Sequence, residues 1–223
     1  MTTTYKGREA WTDTDRGGAT LTGERLRGVA CHYPAAGNVE LADLSAEAVA
    51  RRLQGWRAYH LSRGWSDIGY QVAIDGSGRV WDLRGIGRVP AAHASDSNPD
   101  ANEEWGACLF VVGNLEQPTK AQVNAFCDWR NDRWLRKWPH ATRITGHQRV
   151  PGAATSCPGQ AVLDLIDSGR LKRDRDGGLN KVEIARDYFD AGLQLLDATD
   201  ADRVVVHRVA DRLRSNLEQL PDS

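Results

Sequence analysis

In the segment TGHQRVPGAATSCPG, His147 and Cys157 are separated by nine residues, and a distant upstream histidine, His32, can complete them as a three-ligand metal site. Imidazole nitrogen and thiolate sulfur are both zinc donors. A site with three protein donors keeps its fourth position for water or substrate, which is the catalytic rather than the structural form. That combination would make the chain a zinc hydrolase. Spacing alone leaves two other readings open: a buried cysteine beside a surface histidine, because single cysteines are most often small buried hydrophobes, and a Cys/His nucleophilic pair.

These side chains have to be placed by strands and the loops that leave them. His147 follows RITG, a β-type run closing on glycine; Cys157 lies in a Pro- and Gly-bounded loop ahead of the helix-like GQAVLDLIDS; His32 ends the apolar run of LRGVACHYPAAGN. Loops at strand ends are where catalytic groups gather. GWSDIGYQVAIDGSGRVWDLRG reads as a helix exit followed by two strands, joined as a hairpin at Asp75-Gly76-Ser77-Gly78. VPAAHASDSNPDANEEWGACLFVVGN supplies a loop carrying His93 and then a buried strand over residues 107–112. Ser45 caps a helix over residues 45–63 with Val49, Leu53 and Trp56 on one face. A second helix, over residues 119–137, carries Val123, Phe126, Arg130 and Trp134 on one side and lies between Pro118 and Pro139. Helices alternating with strands imply an α/β domain whose central sheet is covered on both sides.

Five stretches in order, CHYPAAGN, GWSDIGYQVAIDGSG, AAHASDSN, ACLFVVGN and ITGHQRVPGAATSCPG, resemble the type-2 N-acetylmuramoyl-L-alanine amidases, the zinc-dependent family of phage endolysins and peptidoglycan recognition proteins, over roughly residues 25–168. The resemblance implies a mixed central β-sheet flanked by helices. It makes His32, His147 and Cys157 the ligands of Zn2+ and Tyr70 the active-site tyrosine. Thr155 falls where other members carry the second catalytic helper, and His93, Asn98 and Trp65 become substrate-binding residues of the cleft. Where members often carry further histidines, this chain has Tyr33 and Gln71, neither a ligand position. Recognition proteins that lack hydrolysis typically lose the cysteine ligand, which Cys157 retains. The implied reaction cuts the amide between N-acetylmuramic acid and L-alanine of the stem peptide. Zinc chemistry suits it: the metal lowers the pKa of its water to about 7 and polarises a carbonyl. The ligand set contains no base, so Tyr70 would transfer a proton or hydrogen-bond the oxyanion. The alternative is a non-hydrolytic peptidoglycan-binding or virion tail module on the same fold.

At 223 residues, 40% of them hydrophobic and 26% charged, the chain has room for one well-buried domain and a small appendage. A formal net charge of -1 gives no general basic patch for nucleic acid, and no stretch is long enough to cross a membrane. Cys31, Cys108 and Cys127 sit in apolar settings and read as buried thiols, not a disulfide framework. Trp65, Trp81 and Trp105 are candidates for sugar stacking, although burial is the more usual role of large aromatics. Residues 1–24 read as a polar N-terminal extension without the apolar core of a secretory signal. Residues 25–170 read as the zinc amidase domain, 171–180 as a charged linker and 181–223 as a C-terminal helical segment. In that last segment Thr199-Asp200-Ala201-Asp202 resembles a capping box, and Val206, Val209, Leu213, Leu217 and Leu220 form an apolar stripe suited to packing, self-association or virion docking. Peptidoglycan is the expected partner, with no nucleic acid and no membrane. Without an export leader, a wall hydrolase would wait in the host cytoplasm for holin-type release or travel on a virion.

Overall fold

Six short strands build one mixed sheet in the computed structural model, which describes residues 3–173. The strands are β1 (Thr4–Lys6), β2 (Gly28–His32), β3 (Val72–Ile74), β4 (Arg79–Asp82), β5 (Trp105–Phe110) and β6 (Arg143–Gly146). Across the sheet they run β1-β4-β3-β5-β2-β6. Only β3 and β4 pair antiparallel, and the other neighbours are parallel. The antiparallel pair is the hairpin expected at residues 75–78. Asp75 Oδ1 closes it by accepting the N–H groups of Ser77 and Arg79 at 3.1 and 3.0 Å, the local side-chain bond that favours aspartate in turns.

The two-residue period of the strands sorts the core into two faces. Cys108 and Phe110 of β5, Val72 and Ile74 of β3 and Val80 of β4 pack in one cluster, while Leu109, Ala73 and Trp81 pack in the other. In β2 the same alternation sends Val29 and Cys31 into the first cluster and leaves Ala30 and His32 on the opposite face.

Helices cover both faces unequally. The second face is covered by α1 (Ala46–Ser62), whose Val49 and Leu53 reach Leu109 and Trp81; Ser45 Oγ caps it by accepting the Ala48 N–H at 3.2 Å. Before β5 comes one turn, α2 (Ala101–Glu104). The first face is covered by α3 (Lys120–Trp129), opened by a capping box between Thr119 and Gln122. It continues through a π turn, Arg130–Trp134, into α4 (Leu135–Lys137), so Val123, Phe126 and Trp134 share one buried side. The last helix is α5 (Gln160–Asp167), with Val162 and Leu165 in the same cluster. Over β2, on the second face, the described residues bury only a small cluster of Ala30, Ala101, Trp105 and Val150. That thinner cover is what leaves room for a site.

Residues 3–24 correct one expectation, because they are built into the domain and are not an extension of it. β1 pairs with β4, Trp11 is buried and donates its indole N–H to the Asp82 carbonyl at 2.9 Å, and Leu21 joins the core. Composition hid this because the segment contributes isolated buried side chains with no periodic run. The strand expected over residues 107–112 starts and ends two residues earlier. The expected linker from residue 174 onward and the expected C-terminal helical segment lie outside the described residues. No helix among the described residues is long and apolar enough to cross a membrane.

Candidate metal centre

The two histidines of the cluster leave adjacent parallel strands at the same level. β2 and β6 pair with Cys31 opposite Gly146, so the next residues, His32 and His147, emerge side by side with ring centroids 4.6 Å apart. Cys157 is brought to them by close packing. A Cβ at Gly146 would lie 2.7 Å from both Leu163 Cδ2 and Pro158 Cδ, so only glycine lets α5 and the Cys157 loop approach the end of β6 this closely. The Gln148 N–H then donates to the Cys157 carbonyl at 2.7 Å, tying the His147 turn to the cysteine.

Donor atoms of His32, His147 and Cys157 all lie within 4.8 Å of one another. His32 Nδ1 and Cys157 Sγ are 3.6 Å apart. Tetrahedral zinc, with about 2.0 Å to nitrogen and about 2.3 Å to sulfur, requires a separation of about 3.6 Å between such a pair. The His32–Cys157 spacing and the donor chemistry fit zinc. His32 and Cys157 are buried, whereas His147 is half-buried, so the cluster faces solvent on one side.

Protonation states suit ligation. Burial, reinforced by the neighbouring His93 and His147, holds His32 well below the ordinary histidine value, and burial also lowers His147. Both imidazoles are therefore neutral, the form that binds a metal. Burial pushes the Cys157 thiol up to about 12, against a smaller lowering by the Tyr33 N–H, which lies 3.5 Å from the sulfur. A thiol in that setting is a poor nucleophile on its own, which argues against the Cys/His nucleophilic reading, while a dication in contact would favour the thiolate.

Around the cluster the other expected residues occupy different stations. Tyr70, just ahead of β3, is partly buried with its ring 5.2 Å from that of His32; burial, then Cys157, raises its phenol above the ordinary value. Thr155 is exposed, and its Oγ1 accepts the Cys157 N–H at 3.1 Å, so it shapes the ligand loop. His93 is buried, with Nε2 2.8 Å from His32 Nε2 and its backbone N–H on Asn102 Oδ1. Asn98 Nδ2 donates to the Pro151 carbonyl at 3.1 Å and so clips the His93 loop to the loop between the two later ligands. Trp65 stands farther out and stacks on His60 at 4.5 Å with ring planes 14° apart. Trp81 and Trp105 are buried, which removes them as stacking platforms. Gln71, the departure beside Tyr70, is a core residue that accepts the Ala107 N–H and donates to the Arg88 carbonyl.

His60 went unnoticed in the sequence. Its Nδ1 accepts the Gly69 N–H at 3.2 Å and its ring meets Tyr70 edge-on at 5.7 Å, so it braces the tyrosine from behind. Burial, then Arg84 and Arg63, lowers it to about 4 and keeps it a neutral acceptor. The only sequence signal was a polar ring on the last turn of α1, five residues before Trp65.

Known proteins share both the sequence and the shape. Peptidoglycan-recognition protein SC2 of Drosophila melanogaster is 35% identical over 121 residues, covering 53% of this chain and 62% of that protein. An N-acetylmuramoyl-L-alanine amidase of Sus scrofa is 27% identical over 128 residues, 52% of this chain and 19% of the pig protein. The chain thus spans under two thirds of the length of either relative. The structure of bumblebee PGRP-SA superposes with a TM-score of 0.61 at 25% identity, over 74% of this chain and 95% of that one. The sequence profile of one family matches residues 22–160, a span that includes β2 to β6 and all three clustered donors. The chain belongs to the N-acetylmuramoyl-L-alanine amidase family.

Proposed function

We propose that the protein is a zinc-dependent peptidoglycan amidase that hydrolyses the amide between N-acetylmuramic acid and the L-alanine of the stem peptide. The observation that carries this reading is the His32, His147 and Cys157 cluster, in which His32 Nδ1 and Cys157 Sγ stand 3.6 Å apart, a spacing that suits zinc. Zinc held there supplies an acidified water and a counter-charge for the carbonyl oxygen. The residues do the rest. Tyr70 keeps its phenol protonated, so its hydroxyl can donate to the carbonyl oxygen as charge builds there, or to the departing alanine nitrogen. Thr155 holds the Cys157 turn, and His60 braces Tyr70 by ring contact and by accepting the Gly69 N–H. Trp65, at the partly exposed edge of this group, offers a flat surface to a sugar or stem peptide. We place the activity in phage-driven lysis or wall penetration as part of the same proposal.

A second reading, binding without hydrolysis, is favoured by the relatives named for peptidoglycan recognition. Purified sacculi incubated with the protein and analysed by mass spectrometry separate the two. The amidase releases stem peptides that begin with a free L-alanine amine and leaves unpeptidated glycan. Protein that sediments with sacculi and releases no new termini is a binding module.

A further inference from the structure

His32 has two ring nitrogens, and each has its own neighbour. Nδ1 faces Cys157 Sγ at 3.6 Å, and Nε2 faces His93 Nε2 at 2.8 Å. Both residues are buried, at 1% and 2% exposed. His93 is itself held in place, its backbone N–H donating at 2.9 Å to Asn102 Oδ1 on α2.

A 2.8 Å contact between ring nitrogens is a hydrogen bond with one proton in it. Which ring owns that proton decides what the opposite edge of His32 can do. If His93 donates, a neutral His32 carries its own proton on Nδ1, pointed at Cys157, and has no lone pair there for a metal. If His32 donates from Nε2, its Nδ1 lone pair is free on the Cys157 side, and a neutral His93 carries its proton on Nδ1. A ligating nitrogen cannot keep a proton, so only the second arrangement is compatible with zinc.

We propose that His93 is a positioning residue for the metal ligand His32: it accepts the Nε2–H of His32 and thereby fixes both the ring orientation and the tautomer that leaves Nδ1 free to bind zinc. The inference rests on the zinc reading of the cluster. Partners of this kind orient ligating histidines generally, although they are more often carboxylates or carbonyls. His93 Nδ1 is buried with no hydrogen-bond partner among the described residues. An apolar ring of similar size would avoid that cost, so packing alone does not account for a histidine at this position. The assignment also moves His93 from the substrate side of the cleft to the back of the ligand, since both its nitrogens are below the surface.

The test measures zinc affinity of the full chain by competition with a chromophoric chelator, in wild type, His93→Phe and His93→Gln, with thermal unfolding of each metal-free protein alongside. Phenylalanine keeps the ring and removes the acceptor; glutamine restores an acceptor oxygen. Zinc binding should weaken about 10- to 100-fold in His93→Phe at an unchanged metal-free unfolding temperature, and His93→Gln should recover most of the loss. Wild-type affinity in His93→Phe, or equal weakening in both variants, overturns the positioning role and leaves the zinc centre standing. A wild type that takes up no zinc overturns the centre itself and this inference with it.

Discussion

Two buried polar clusters in this domain are built on opposite principles. Around Asp67 every charge is met. Its two carboxylate oxygens accept from Arg57 and the Ile68 N–H at 2.8 Å each, from Arg8 at 2.9 Å and from the Gly17 N–H at 3.0 Å, which fills all four lone-pair directions. Arg8 also donates to the Leu83 and Thr14 carbonyls, and the neighbouring Arg84 donates to the Asp67 and Val89 carbonyls. Around His32 the accounting stays open. Three imidazoles and a thiol crowd together, with no carboxylate among the described residues. A closed network of buried polar groups holds a fold together, whereas nitrogen and sulfur donors that converge from His32, His147 and Cys157 suit a cation. The first cluster pins the N-terminal segment to α1 and the loop before β3; the second sits where the sheet is thinly covered.

The largest effect should come from Cys157→Ser. A hydroxyl is a poor substitute for thiolate, so tight zinc binding and hydrolysis should both fall to background, measured by chelator competition and by release of stem peptides. The metal-free variant should unfold at nearly the wild-type temperature, because this cluster was not holding the fold. A variant with full activity would remove Cys157 from the ligand set.

Asp67→Ala should show the reverse pattern. It leaves Arg8 and Arg57 facing an empty site, and breaking a buried pair costs about 3–5 kcal/mol, read by denaturant unfolding. Zinc affinity of the folded fraction should be unchanged. Acid tests the same contrast. Burial opposes the charge of Asp67, but the Gly17 and Ile68 N–H groups and the two arginines outweigh it, so the folded carboxyl lies below its ordinary 3.8. Its stabilisation is therefore fully present above that value and is lost as pH falls through the lower, folded one. The stability gap between wild type and Asp67→Asn should narrow in that range, and a gap that widens there would contradict the assignment.

Much of the site was legible because its residues sit at strand ends and in a Pro- and Gly-marked loop, where type and spacing show in one dimension. The caps at Ser45 and Thr119 and the turn at Asp75 were equally local signals. What stayed hidden depends on partners far away in sequence. Arg8 meets Asp67 and His93 meets His32 only after the chain has folded, and Trp11 gives no period to detect. Asn98 lies in the AAHASDSN stretch, and its amide joins two loops by reaching the Pro151 carbonyl, a bond that no spacing reveals.

Smaller effects sharpen the comparison within the open cluster. Tyr70→Phe should lower turnover by about 10²-fold with zinc still bound, the usual cost of losing one proton-transfer or oxyanion group. Wild-type turnover in that variant would make Tyr70 a packing residue. Thr155→Ala should cost less, under about tenfold, because it removes one hydrogen bond to the Cys157 N–H and no reacting group. A loss as large as that of Tyr70→Phe would give Thr155 a direct part in the chemistry.

The most direct test is the metal itself. Elemental analysis of the purified protein should find one zinc per chain. Dialysis against a chelator should abolish stem-peptide release, added zinc should restore it, and thiol alkylation of the zinc-loaded enzyme should have little effect. A protein that holds no zinc, or one that ignores the chelator and is inactivated by alkylation, would contradict the reading of His32, His147 and Cys157 as a zinc centre.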